Sequence, residues 1–247
     1  MFNPQKQEII KLAQGNQKFI QQLETLLVGR VNMYIDYANV RPWAVRLNWH
    51  IDLKRLKPFL DSFNNISAVK FYYGTLKGDM LSEQMIQQAQ KLGYQVRTKP
   101  VKIMKLSIDV SSIDPQSPTL LRNFIRQSLL KKYDVATIEQ LNLKFKEMNL
   151  AGTFWLEDRK CNFDVEIGRD MVVDLERNQT DCFVLWSGDS DFHDPIQEIL
   201  SKGKKVILFA TTRTVSSELN ALRAQGLFIF DIRKIKDFIC WKREIGA

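Results

Sequence analysis

The chain has 247 residues, 45% of them apolar, which is the composition of a globular core large enough for one domain or a domain with an elaboration. Its net charge of +8 and pI of about 9.3 favour a polyanionic partner. No apolar run approaches the ~20 residues of a membrane helix, Met1–Gln5 lacks the layout of a signal peptide, and Cys161, Cys182 and Cys240 with only His50 and His193 give neither a disulfide framework nor a zinc spacing, so a reduced, cytoplasmic protein with no membrane partner is expected.

Taken in order, residues 4–28 place Ile9, Leu12, Ala13, Ile20, Leu23 and Leu27 at helical spacing and predict one helix, packed on the core and ended by Gly29. This gives an N-terminal helical segment, 1–30, ahead of a main domain, 31–247. Val31–Asp36 is the first strand, with Asp36 at its carboxyl end and Asn39 three residues on, able to orient Asp36 or a bound water through its amide. Trp43 and Trp49 follow in a loop, where they either stack on bases or pack inward. A helix around 53–64, a strand at Ala68–Tyr73, a helix at Ser82–Leu92 and a strand at Tyr94–Lys99 continue the rhythm of a parallel sheet with right-handed crossovers.

That rhythm breaks over residues 105–158, where Pro115 and Pro118 precede two helical patterns, 118–132 and 135–149. An inserted helical hairpin is expected, rich in Lys and Arg, whose basic face is either solvated or turned to phosphates. Phe154–Leu156 returns to a sheet or hairpin edge. Lys160–Asp164 then leads into a helix through Leu175, with Val165, Gly168, Val172 and Leu175 on its predicted buried stripe. Asp164 opens that helix, where the helix dipole favours a carboxylate.

Phe183–Trp186 has the length of a buried strand and ends in Ser187-Gly188-Asp189-Ser190-Asp191, a tight polar turn before a helix with Pro195 in its first turn. Strands at Lys205–Ala210 and Gly226–Phe230, a helix at Ser216–Gln225 and a terminal helix at 233–243 complete the chain. Open α/β sheets bind ligands past the carboxyl ends of their strands, at the point where strand order reverses. If the strands ending at Asp36 and Trp186 are neighbours there, Asp36, Asp164, Asp189 and Asp191 converge on one crevice. Carboxylates so gathered repel unless a cation sits among them. Magnesium and manganese are held by such oxygen donors and activate water against a phosphodiester. Rival chemistries are excluded by residue: no G-x-G-x-x-G, no P-loop and no G-x-S-x-G elbow occurs.

Three motifs together resemble the NYN domains of LabA-like proteins, in the PIN-like nuclease superfamily: Tyr34–Val40, Lys160–Asp164 with Asp170 six further on, and Ser187–Phe192 with Pro195. The resemblance covers about residues 31–230, leaving out the N-terminal helix and the insertion. It implies a three-layer PIN-like (Rossmannoid) α/β fold with a mainly parallel central sheet flanked by helices. It also implies a Mg2+- or Mn2+-dependent ribonuclease in which Asp36 and Asp189 hold the principal ion and Asp164 and Asp191 complete the site. Asn39 and Ser187 would orient waters, Lys160 would neutralise phosphate, and Asp170 would be secondary because a helix turns it to another side. Single-stranded RNA is the expected partner, and a homo-oligomer is compatible with this reading. The alternative is an RNA-binding regulatory module of the same fold that does not cut efficiently. A phosphohydrolase of small nucleotides is a third, less supported by the residues.

Overall fold

The computed structural model of the protein describes residues 1–76, 78–107, 134–152, 155–211 and 214–241. Two helices, α1 (Gln7–Gly15) and α2 (Gln17–Leu26), stand where the periodicity predicts one. The helix breaks because glycine at position 15 gains least from helical order. The next residue, Asn16, leaves helical geometry and turns its side-chain amide back onto the Leu12 carbonyl at 2.9 Å. The chain then enters β1 (Val31–Asp36) and the short helices α3 (Tyr37–Val40) and α4 (Trp43–Leu47). Next come α5 (Leu53–Asp61), β2 (Ile66–Tyr72), α6 (Met80–Lys91) and β3 (Gln95–Arg97). Trp43 and Trp49 are buried in the core, so they present no ring face to a base.

Contacts divide the chain into two compact units, Met1–Val101 with Cys161–Ala247, and Lys102–Lys160. In the second, β4 (Lys102–Ser107) pairs antiparallel with β5 (Trp155–Lys160), and α7 (Val135–Leu150) lies between them in sequence. Asp134 caps α7, accepting from the Thr137 main-chain N–H at 2.9 Å. The expected helix at 118–132 falls outside the described residues.

The first unit resumes with α8 (Asp164–Glu176), β6 (Cys182–Trp186), a 3-10 turn at Ser190–Phe192 and α9 (His193–Ser201). It closes with β7 (Lys205–Ala210), α10 (Ser217–Ala221), β8 (Phe228–Asp231) and the four-residue α11 (Lys236–Ile239). Six strands form one sheet in the order β3-β2-β1-β6-β7-β8, every pair parallel. The chain builds outward from β1 to β3, then returns to β6 on the other side of β1 and builds outward to β8. The reversal falls between β1 and β6, where Tyr34 pairs with Leu185 and Ile35 with Trp186.

Strand parity builds two cores, because successive side chains point to opposite faces. Val31, Met33 and Ile35 of β1 join Cys182, Val184 and Trp186 of β6 on the face packed by α2 and α5. Tyr34, Phe183 and Leu185 face the other way, onto Ile167 and Met171 of α8 and Ile196 and Ile199 of α9. Each such side chain, once buried, contributes roughly 1.5–3 kcal/mol. The helix α8 departs from its predicted stripe. Val165 is 81% exposed, while Ile167, Gly168, Asp170, Met171 and Asp174 face inward. Two aspartates occupy the buried face because partners neutralise them there. Asp174 accepts from Lys70 Nζ (2.7 Å), Asn32 Nδ2 (2.7 Å) and the Tyr34 hydroxyl, and Asp170 accepts from the Tyr72 hydroxyl (2.8 Å).

Candidate active site

The parity that seats Tyr34 also delivers Asp36 to the carboxyl edge of the sheet, on the same face as α8. Asp36 is 4% exposed, and its two oxygens are both engaged. Oδ1 accepts from the Asn39 main-chain N–H at 3.3 Å, capping α3, and Oδ2 accepts from the Ser187 hydroxyl at 3.4 Å. It is thus the backbone of Asn39, rather than its side-chain amide, that holds Asp36. Burial pushes the Asp36 carboxyl up to about 7, helped by the negative charges of Asp164 and Asp189 and opposed by these two hydrogen bonds.

Beyond β6 the chain turns within a few residues. Asp189 donates its N–H to Ser187 Oγ at 3.3 Å, and its own Oδ1 accepts from the Asp191 N–H at 3.3 Å, capping the 3-10 turn. Gly188 permits the turn: a Cβ there would sit 1.7 Å from the Thr214 carbonyl oxygen, and the Gly188 carbonyl accepts from Ser216 N–H at 3.0 Å. A second glycine, Gly74, lets the exit of β2 lie against Cys161, whose Sγ would be 2.5 Å from an added Cβ. Cys161 leads through Asn162, which accepts from the Asp164 N–H at 3.0 Å, into the first turn of α8.

These turns bring Asp164, Asp189 and Asp191 together, with one carboxylate oxygen of each within 4.8 Å of the others. Burial, then the neighbouring carboxylates of Asp191 and Asp189, raise the Asp164 carboxyl to about 6, against the lowering effect of Asn162. Asp164 Oδ2 is shut from solvent and has no hydrogen-bond partner among the described residues. An acceptor in that state costs free energy, and a hard divalent cation would satisfy it together with the oxygens of Asp189 and Asp191. The donor set therefore fits magnesium or manganese. Asp36 stands outside this group of three and senses it through charge and through the Ser187–Asp189 link.

Asp170 does not reach the cluster. It is buried against Tyr72 and ion-paired with Arg169 (3.3 Å) and Arg97 (3.6 Å), as the helical spacing requires. Lys160 ends β5, and its side chain lies outside the described ones. Sequence reading missed Lys99, whose Nζ bonds Glu166 Oε1 at 2.6 Å and lies 4.7 Å from the centre of the Phe163 ring, beside the opening of α8. Its place just past the third strand was the available signal.

A parallel sheet with a carboxylate cluster at its reversal point defines a PIN-like α/β protein. Within that class, the family model described as NYN domain, of a nuclease-like family, matches residues 110–230. The match takes in Asp164, Asp189 and Asp191 but leaves β1 and Asp36 outside. No curated protein matches the sequence. Among solved structures, the chain is similar to a protein of unknown function, VPA0982, from Vibrio parahaemolyticus. The two share 17% identity at a TM-score of 0.51, over 85% of this chain and 96% of that one, a likeness of fold alone. Among the described residues, no helix is long and apolar enough to cross a membrane.

Proposed function

We propose that the protein is a metal-dependent ribonuclease of the LabA-like NYN type that hydrolyses internal phosphodiester bonds of single-stranded RNA in the cytoplasm. The observation that carries this reading is the convergence of Asp164, Asp189 and Asp191, with a buried Asp164 oxygen that has no partner among the described residues. The net charge of +8 supports a polyanionic substrate, and three free cysteines fit a reducing compartment. Asp164, Asp189 and Asp191 would hold a Mg2+ or Mn2+ ion, which when bound lowers the pKa of water and stabilises charge building on the scissile phosphate. The chain's own residues set the frame. Ser187 ties Asp36 to the Asp189 turn, Asp36 adds negative charge beside the triad, and the main chain of Asn39 fixes its orientation. The LabA-like assignment rests on the motifs around Asp36, Asp164 and Asp189.

Cleavage of end-labelled single-stranded RNA in manganese or magnesium, with EDTA as blank, tests the proposal. Asp189→Asn should lose at least about a hundredfold in rate, the scale of several kcal/mol of lost charge stabilisation, while binding RNA as well as the parent. A parent that cuts neither RNA nor DNA in either metal overturns the nuclease reading in favour of a binding module.

A further inference from the structure

Among the described residues, the carboxyl rim of the sheet is acidic at its centre and carries a cluster of exposed arginines on the β2-β3 side. Asp36 ends β1, and Asp189 and Asp191 stand past β6. Moving toward β3, the rim carries Arg41, whose guanidinium donates to the Tyr73 hydroxyl, then Arg97 and Lys99. The exit of β2 is tied to this segment, Tyr73 N–H donating to the Arg97 carbonyl and Thr75 N–H to the Lys99 carbonyl. Arg169 projects from α8 beside them. Arg97 and Arg169 have side chains 58% and 70% exposed and share one carboxylate, Asp170, which already accepts from Tyr72. Two guanidinium groups on one aspartate leave a net positive charge facing solvent, and Lys99 is only balanced by Glu166. Toward β8, among the described residues, the cations are more engaged: Arg233 is neutralised by Asp231, and Lys234 is turned onto Gln22 and the Phe230 ring.

We infer that single-stranded RNA lies across the β1-β2-β3 side of this rim, its phosphates on Arg41, Arg97 and Arg169, and enters the aspartate cluster from that side. The inference rests on the proposed RNA substrate. Strands lie ~4.8 Å apart, so β3 is about 10 Å from β1, close enough for one strand of nucleic acid to touch the arginines and the cluster together. Exposed guanidinium groups suit phosphate oxygens because their planar fork donates two parallel hydrogen bonds. Backbone contacts of this kind position a strand without reading its bases.

The test is fluorescence anisotropy of a labelled single-stranded RNA across a salt series, every protein carrying Asp189→Asn so that nothing is cut. Arg97→Ala with Arg169→Ala should weaken binding about tenfold or more and flatten the log–log salt slope by about 1.4, the value for two lost contacts to a single strand. Arg97→Lys with Arg169→Lys should restore the slope, which counts charges. Arg177→Ala with Lys202→Ala removes the same charge at the carboxyl ends of α8 and α9, at the opposite edge of the sheet, and should leave the slope at its parental value. Single-stranded DNA should respond in parallel if the contacts are to phosphates. A parental slope in the rim variant, or an equal loss in the control pair, overturns the inference while leaving the nuclease proposal standing. Rim-dependent binding by a parent that cleaves nothing does the reverse.

Discussion

Ionised Asp36 is a liability to the fold, and its size follows from the structure. The carboxyl lies 4% exposed at the end of β1, and burial with two neighbouring carboxylates moves it from its ordinary 3.8 to about 7. The folded chain therefore keeps a proton that the unfolded chain releases above about pH 4. Stability is lost as pH rises from there through 7, and the loss is complete above it. Each tenfold change in proton affinity is worth about 1.4 kcal/mol, so ionised Asp36 costs the fold about 4 kcal/mol at pH 8.5. Asp36→Asn keeps the shape and leaves an oxygen to accept from Asn39, without the charge. Urea unfolding in EDTA should find the variant more stable than the parent by about 4 kcal/mol at pH 8.5 and by less than about 2 kcal/mol at pH 5. Magnesium, held by Asp164, Asp189 and Asp191, should raise the stability of parent and variant alike, by about 2.7 kcal/mol at a hundred times its dissociation constant. A parent and variant with the same pH dependence, or a variant less stable at pH 8.5, would refute the reasoning.

Other outcomes follow from the same geometry. Lys70→Met strips the cation from buried Asp174 and should cost about 3–5 kcal/mol in urea unfolding. Gly188→Ala puts a methyl group 1.7 Å from the Thr214 carbonyl. It should weaken magnesium-induced thermal stabilisation and cleavage more than tenfold, because the displaced turn carries Asp189. Asp170→Asn keeps an acceptor for Tyr72 and should retain cleavage within about tenfold of the parent, in contrast to Asp164→Asn, which should lose at least about a hundredfold in the same assay.

Much of the frame is visible in the residues because short apolar runs ending in small polar residues have few structural solutions. Val31–Asp36 and Cys182–Trp186 are such runs, and the parallel order of strands followed from the helices between them. The buried face of α8 was not visible, since a carboxylate on a helix reads as solvated until its partners are known. Asp170 and Asp174 are buried only because Tyr72, Lys70, Asn32 and Tyr34 arrive from β1 and β2, more than ninety residues away. The pairing of Lys102–Ser107 with Trp155–Lys160 went unseen for a related reason. An antiparallel partner fifty residues distant leaves no local periodicity. The triad within reach of one cation was legible as a list of aspartates but not as a geometry, which depends on the glycine contacts of Gly74 and Gly188.

The link from Ser187 to Asp36 spans 151 residues. During synthesis β1 can pair with β2 and β3 early, but its other edge waits for β6. At about 5–20 residues per second the wait is roughly 8–30 seconds. Through that interval β1 offers an unpaired apolar edge, which is an aggregation hazard. The same delay is protective for a protein proposed to cut RNA. No nascent chain that stops short of Asp191 carries the acidic cluster, so the proposed activity is withheld through most of synthesis.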